Sequence, residues 1–153
     1  MERHKIEGNF VLDTSVLIKW FSNEEDTDIA VELRDNYVKG NANITCPDLV
    51  VYELINALRY NKALTEKDVK DSINSLLSIG INIIVPTRQV VESAIAIAFQ
   101  HEITVYDAYF VALAKELNFT YITADEKLYS KIKKLSFVKF LKNIYFSSYF
   151  IKT

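Results

Sequence analysis

Asn9-Phe10-Val11-Leu12-Asp13-Thr14-Ser15-Val16-Leu17-Ile18 is the stretch from which the rest of the chain is read. Apolar and β-branched residues run up to a carboxylate, two hydroxyl residues follow, and a second apolar set continues through Val16, Leu17, Trp20 and Phe21. This order predicts a buried strand with Asp13 at its carboxyl end, then a helix whose first turn holds Thr14 and Ser15. In open α/β sheets ligands bind beyond the carboxyl ends of the strands, so Asp13 falls where chemistry is expected. Asp is also a favoured helix N-cap, a role that needs no chemistry, and the stretch alone leaves both roles open.

Around that stretch, 153 residues of which 50% are hydrophobic suit one domain with one core. A chain of this size buries roughly 68–70% of the surface its unfolded form exposes. We therefore expect a single domain over residues 1–153, with 140–153 as an apolar extension packed on the domain or on a partner. Cys46 has no partner for an internal disulfide and reads as a small core residue. The charged start Met1-Glu2-Arg3-His4-Lys5, and an apolar run cut at Asp13, argue against a signal peptide or a membrane span. The expected location is cytoplasmic. A net charge of -2 gives no global attraction to nucleic acid, so a polyanionic substrate would need a local basic patch or metal ions.

Downstream, strands and helices alternate. Ile29, Ala30, Leu33 and Tyr37 mark one face of a helix between Asn23 and Lys39, with Glu24-Glu25-Asp26 as its solvated first turn and Gly40 as its stop. Ala42 to Cys46 is a second strand closed by Pro47. Apolar positions 50, 51, 54, 55 and 58 form a helical stripe, with Glu53, Asn56 and Tyr60 on a neighbouring face. Thr65 and Asp68 form a capping box for a helix that turns Val69, Ile73, Leu76 and Leu77 inward. Asn82 to Pro86 lacks polar alternation, as expected of a strand covered on both faces. Thr87 caps a helix with Val90, Val91, Ala94, Ile95, Ile97 and Ala98, apolar around most of its girth and so expected to be deeply packed. A helix follows with Asp107 near its start, then a strand through Phe119-Thr120-Tyr121-Ile122-Thr123 that ends at Asp125, a short helix, and a possible strand from Phe137 to Leu141. The pattern is that of a largely parallel sheet covered on both sides, an α/β/α arrangement.

Asp13 and Asp125 each follow a buried strand, Asp107 opens a helix, and Glu53 comes from a helix after another strand, so all four can point into one crevice. Two unit charges 4 Å apart repel by about 4 kcal/mol at an effective dielectric near 20, and no lysine or arginine sits beside these acids in sequence. A divalent cation would resolve the conflict. Oxygen ligands without nearby Cys or His point to Mg²⁺ or Mn²⁺, and such an ion suits phosphodiester hydrolysis.

Four blocks in order, Phe10-Val11-Leu12-Asp13-Thr14-Ser15-Val16, Tyr52-Glu53-Leu54-Ile55-Asn56-Ala57-Leu58, Tyr106-Asp107-Ala108-Tyr109-Phe110-Val111-Ala112-Leu113-Ala114 and Tyr121-Ile122-Thr123-Ala124-Asp125-Glu126-Lys127-Leu128, resemble the motifs of the PIN-domain family. Within it the chain looks most like the VapC-type toxins of toxin–antitoxin pairs. The resemblance implies a three-layer α/β/α fold with a mainly parallel sheet and a metal-dependent endoribonuclease. It assigns the acidic pocket, catalytic and metal-binding, to Asp13, Glu53, Asp107 and Asp125, with Asp13 and Asp107 as direct ligands of Mg²⁺ or Mn²⁺ and Ser15, Asn56 and Thr123 in support. It further implies in-line attack of an activated water on a phosphate of RNA, leaving a 5′-phosphate and a 3′-hydroxyl. The implied partners are RNA, a small antitoxin and a second copy of the chain.

Each motif has a plainer reading. Asp107 and Asp125 suit helix caps or turns, and Glu53 suits an exposed helix position, although its neighbours Tyr52, Leu54 and Ile55 are apolar. Tyr60, Tyr106 and Tyr109 could stack on bases, but tyrosines at helical spacing more often serve a core or an interface. Lys127, Lys131, Lys133, Lys134, Lys139 and Lys142 form either an RNA track or an ordinary solvated surface. His4 and His101 lack metal-site spacing. Competing functions are a housekeeping RNA-processing nuclease, a non-catalytic binding module of the same fold, and an aspartyl-phosphate phosphatase. The last wants a second Asp two residues after the first, where this chain has Ser15.

Overall fold

The structure is a computed structural model and describes residues 6–149, with side chains as far as Tyr145. The expectations for His4, Phe150 and Ile151 lie outside the described residues. The elements in order are β1 (Gly8–Leu12), α1 (Thr14–Leu17), a 3-10 turn (Ile18–Trp20), α2 (Thr27–Val38), β2 (Ala42–Pro47), α3 (Leu49–Arg59) and α4 (Glu66–Ile79). There follow β3 (Asn82–Ile84), α5 (Arg88–His101), α6 (Val105–Leu117), β4 (Thr120–Thr123), α7 (Glu126–Ile132), β5 (Val138–Phe140) and a second 3-10 segment (Leu141–Tyr149).

The five strands form one sheet in the order β3-β2-β1-β4-β5, and every pairing is parallel. This is the α/β architecture expected from the alternation of elements. Phe10, Val11 and Leu12 of β1 are buried, as a strand with neighbours on both edges and helices over both faces must be. Val11 sits opposite Thr45 on β2 and Tyr121 on β4. From β1 the chain builds outward through β2 to β3, then crosses back to lay β4 and β5 on the other side. The direction reverses between β1 and β4, and in such sheets the crevice beyond the strand ends opens at that point. Asp13 follows β1 and Asp125 follows β4, so both flank it.

Helix α6 packs on β1, β2 and β4 and carries α5 on its outer side. Ala108, Phe110, Val111, Ala112, Leu113 and Ala114 are all buried, because a helix between a sheet and a second helix has little surface left for water. Leu141 is buried, and Ile144 and Tyr145 pack partly buried against the core. Cys46 is fully buried, as its apolar context suggested.

Several local expectations are corrected. Glu24-Glu25-Asp26 precedes α2 instead of forming its first turn, and Asp26 takes a left-handed φ of 60°. The segment is held as a loop by Lys19, whose Nζ lies 3.3 Å from a Glu24 carboxylate oxygen and 2.7 Å from the Glu25 carbonyl, and by Thr27 Oγ1, which accepts the Glu24 N–H at 2.9 Å. Strand β3 is an edge strand paired only with β2, so Asn82 is exposed and Val85, just beyond the strand, is 66% exposed. Helix α5 buries Val90, Ala94, Ile97 and Ala98 but turns Val91 and Ile95 to solvent, since its main support is α6 on one side. On α3 and α4, Ile55 and Leu77 are likewise exposed, while the Thr65/Asp68 capping box is present as predicted.

Candidate active site

Asp13 closes β1: its backbone N–H donates to the Ile122 carbonyl at 2.9 Å, and its extended φ/ψ of -64° and 152° begins α1. The side chain is only 7% exposed, and both carboxylate oxygens are engaged. Oδ2 accepts from the Ser15 hydroxyl at 2.5 Å, the Ser15 N–H at 3.2 Å and the Thr123 hydroxyl at 3.3 Å. Oδ1 accepts from the Tyr121 hydroxyl at 2.8 Å. Burial drives the Asp13 carboxyl above its ordinary range; the bonds from Ser15 and Tyr121 oppose the rise, and nearby Asp125 adds to it.

The two ends of the crevice are stitched together by the same hydroxyls. Ser15 Oγ accepts the Ala124 N–H at 2.9 Å, and Thr123 Oγ1 accepts the Asp125 N–H at 3.1 Å. Asp125 then caps α7 by accepting the Leu128 N–H at 3.0 Å, and its side chain remains exposed. Asp13 and Asp125 are thus helix caps and members of the acidic crevice at once. Asp107 is not a cap. Thr104 holds that position on α6, accepting the Asp107 N–H at 3.1 Å, which places the Asp107 carboxyl in the first turn.

Asp107 and Glu53 are each half-buried. The Asp107 carboxyl is raised by burial and then by Asp13, with a further contribution from Asp125 against the lowering effect of Thr104. Glu53, on α3, is pushed up to about 7, first by burial and then by Asp13 and Asp107. Its Oε1 is buried and has no hydrogen-bond partner. A buried carboxylate oxygen without a donor costs of order 1–3 kcal/mol, more when charged. The four acids therefore share one negative field, and among the described residues no lysine or arginine pairs with any of them.

Among the described residues no three His, Cys, Asp or Glu side chains stand close enough together to cage a metal ion. The donor set nonetheless fits a hard divalent cation of the Mg²⁺ type, which uses one or two carboxylates and keeps several waters. The orphaned Glu53 Oε1 and the lack of a basic partner are the features such an ion would satisfy. Cys46 lies close by but donates to the Leu12 carbonyl at 3.4 Å, and burial pushes its thiol up to about 12, so it offers no thiolate ligand.

Of the supporting residues expected, Ser15 and Thr123 reach Asp13, whereas Asn56 is exposed on α3 and makes no hydrogen bond to the acids. Tyr106 and Tyr109 line an apolar groove of about 270 Å³ with Asp48, Leu49, Tyr52, Pro86, Val91, Ala94 and Val105; Tyr60 lies outside it, beneath the Arg59 guanidinium at 5.4 Å. Tyr121 was not expected from sequence, where it reads as one apolar residue of a buried strand. Alternate strand residues share a face, and Tyr121 lies two before Thr123, which is the signal that would have placed its hydroxyl near Asp13.

The family model described as PIN domain matches residues 10–135, well over half of the chain. Among solved structures, one of a toxin–antitoxin complex from Klebsiella pneumoniae is 18% identical with a TM-score of 0.64, covering 84% of this chain and 94% of that one. VapBC2 from Rickettsia felis, bound to a DNA fragment from its promoter, is 17% identical with a TM-score of 0.66 and coverage of 86% and 96%. VapC20 of Mycobacterium tuberculosis, described as a Sarcin-Ricin loop cleaving toxin, is 15% identical with a TM-score of 0.62 and coverage of 79% and 93%. At these identities the likeness is one of fold. Comparison with curated proteins gave no match.

Proposed function

The chain belongs to the PIN domain family, and from that premise we propose that it is a metal-dependent endoribonuclease, the toxin of a toxin–antitoxin pair. The observation that carries the reading is the acidic crevice, in which Asp13, Glu53, Asp107 and Asp125 act on one another without a basic partner and Glu53 Oε1 is buried without a donor. Asp13 and Asp107 would hold a divalent cation, Mg²⁺ or Mn²⁺, and Asp125 would complete its surroundings from the exposed side. When bound, such an ion lowers the pKa of water and offsets charge developing on phosphoryl oxygens. Glu53, half-buried on α3 beside Asp13 and Asp107, would accept the proton of an attacking water. Ser15 and Thr123 keep the Asp13 carboxylate in place by hydrogen bonds, so no reorganisation is needed at the moment of reaction.

RNA as the substrate is supported by the exposed lysines that follow Asp125. Lys142 pairs with Glu25 at 3.4 Å and Lys131 donates to the Glu102 carbonyl at 2.8 Å, but among the described residues Lys127, Lys133 and Lys134 make no ion pair. Such lysines can track a phosphate backbone towards the acids. The apolar groove lined by Leu49, Tyr52, Pro86, Tyr106 and Tyr109 is suited to a segment of a small antitoxin. The outward residues Val91, Ile95 and Phe99 of α5 suit a second copy of the chain, as exposed apolar patches generally mark protein contacts. No helix among the described residues is long and apolar enough to cross a membrane, and the reading places the enzyme in the cytoplasm with its RNA.

The test is cleavage of RNA in the presence of Mg²⁺ or Mn²⁺. Activity is expected to vanish with EDTA and in Asp13→Asn and Asp107→Asn. Cleavage that persists in these variants overturns the reading, and metal binding without cleavage of any RNA favours a non-catalytic module.

A further inference from the structure

The two oxygens of the Asp13 carboxylate are not equivalent. Oδ2 receives three donors, the Ser15 hydroxyl, the Ser15 N–H and the Thr123 hydroxyl, which more than fills its two lone pairs. Oδ1 receives one, from the hydroxyl of Tyr121 at 2.8 Å, and so keeps one lone pair free. Tyr121 is fully buried on β4, held opposite Val11 by the parallel register and two residues before Thr123, on the same face of the strand.

We propose that Tyr121 is the positioning residue for cation binding: its hydroxyl fixes the rotation of the Asp13 carboxylate so that Oδ1 presents its free lone pair to the crevice. The inference rests on the reading of Asp13 as a ligand of a divalent cation. Ser15, at the start of α1, and Thr123, at the end of β4, hold the Oδ2 end of the planar carboxylate, and the Tyr121 bond holds the Oδ1 end, so that its rotation is restrained at both oxygens. Partners of this kind orient carboxylate and imidazole ligands in metal sites generally, and their loss typically lowers metal affinity by about 10–100-fold.

The experiment is a Mn²⁺ titration of the full chain, with free Mn²⁺ followed by electron paramagnetic resonance, so that no RNA is needed. Tyr121→Phe keeps the ring and is expected to bind Mn²⁺ about 10–100-fold more weakly than the wild type. Tyr37→Phe, which loses a comparable bond from its hydroxyl to the Gly80 carbonyl at 2.7 Å, is expected to bind as the wild type does. Thermal unfolding in EDTA establishes that each variant is folded. A folded Tyr121→Phe with wild-type affinity overturns the proposal and leaves the nuclease reading standing, whereas a wild-type chain that binds no Mn²⁺ removes both. A measurement on the wild type alone covers the case of a variant that does not fold. With tyrosines labelled at ¹³Cζ, saturating Mg²⁺ is expected to shift the resonance of a buried tyrosine, and a spectrum indifferent to Mg²⁺ also overturns the proposal.

Discussion

Asp13 and Glu53 border the same crevice under different conditions. Around Asp13, where β1 and β4 end, each carboxylate oxygen has a donor, and those donors are themselves fixed by strand pairing and by the first turn of α1. On the α3 side, Glu53 is half-buried, its Oε1 has no donor, and its carboxyl is pushed up to about 7. Both places are costly for a negative charge, yet only one is compensated within the chain. The compensated acid is built into the sheet and is suited to hold something. The uncompensated one is suited to exchange a proton or to meet a cation brought from outside.

If that division is right, Asp13→Asn is the more damaging of two single substitutions. Losing several kcal/mol of charge stabilisation at about 1.4 kcal/mol per tenfold corresponds to roughly a thousandfold fall in single-turnover RNA cleavage. Glu53→Gln, which removes a proton acceptor but leaves the ligand, is expected to cost about a hundredfold at neutral pH. The reverse ranking, measured under identical metal concentrations, would show that the two acids have been assigned the wrong way round.

The contrast also has a pH signature in the metal-free protein. Glu53 in the folded state keeps its proton up to about 7, whereas in the unfolded chain it titrates near its ordinary value of 4.5. Between those values the folded state binds more protons, so stability falls as pH rises through the window and levels off above it. Because the residue is close to half exposed, solvent screening reduces the effect to about 1 kcal/mol. Urea unfolding in EDTA at pH 5 and pH 8 is expected to show this loss in the wild type. Asp13 and Asp107 are raised as well and contribute with the same sign, so the difference between wild type and Glu53→Gln isolates the α3 side.

Smaller effects lie away from the acids. Combined Lys127→Gln, Lys133→Gln and Lys134→Gln in an Asp13→Asn background is expected to flatten the salt dependence of RNA binding. The log–log slope should fall by about 0.7 for each phosphate no longer neutralised, read by fluorescence anisotropy. An unchanged slope assigns these lysines to the solvated surface. Thr65→Ala, at the far end of α4, removes a cap worth about 1 kcal/mol in thermal unfolding and is expected to leave cleavage untouched.

How legible these features were in the chain varied with the kind of feature. The strand before Asp13, the helix that carries Asp107 and the strand before Asp125 could be read directly, because buried parallel strands and amphipathic helices write themselves as apolar runs, whereas the Thr104 cap of that helix came only with the structure. The outward turn of Ile55, Leu77, Val91 and Ile95 could not. An apolar stripe says which residues share a face but not how wide a surface the neighbouring element covers, and α5 has α6 on one side and solvent on the other. Glu24-Glu25-Asp26 failed for a related reason: dipole complementarity favours acids in a first turn, but the ion pair and carbonyl contact of Lys19 hold the segment as a loop.

Residue order alone was enough to read the α/β alternation and the family and to single out Asp13, Glu53, Asp107 and Asp125 as candidates, since each depends on local patterns of a few residues that survive without coordinates. The sheet order β3-β2-β1-β4-β5 was not available from it, nor the meeting of Tyr121 with Asp13, nor the loneliness of Glu53 Oε1. Those depend on which strands pair and what remains within hydrogen-bonding reach afterwards. Contacts between residues 108 positions apart, such as Tyr121 with Asp13, come into being only when parallel pairing brings β4 beside β1.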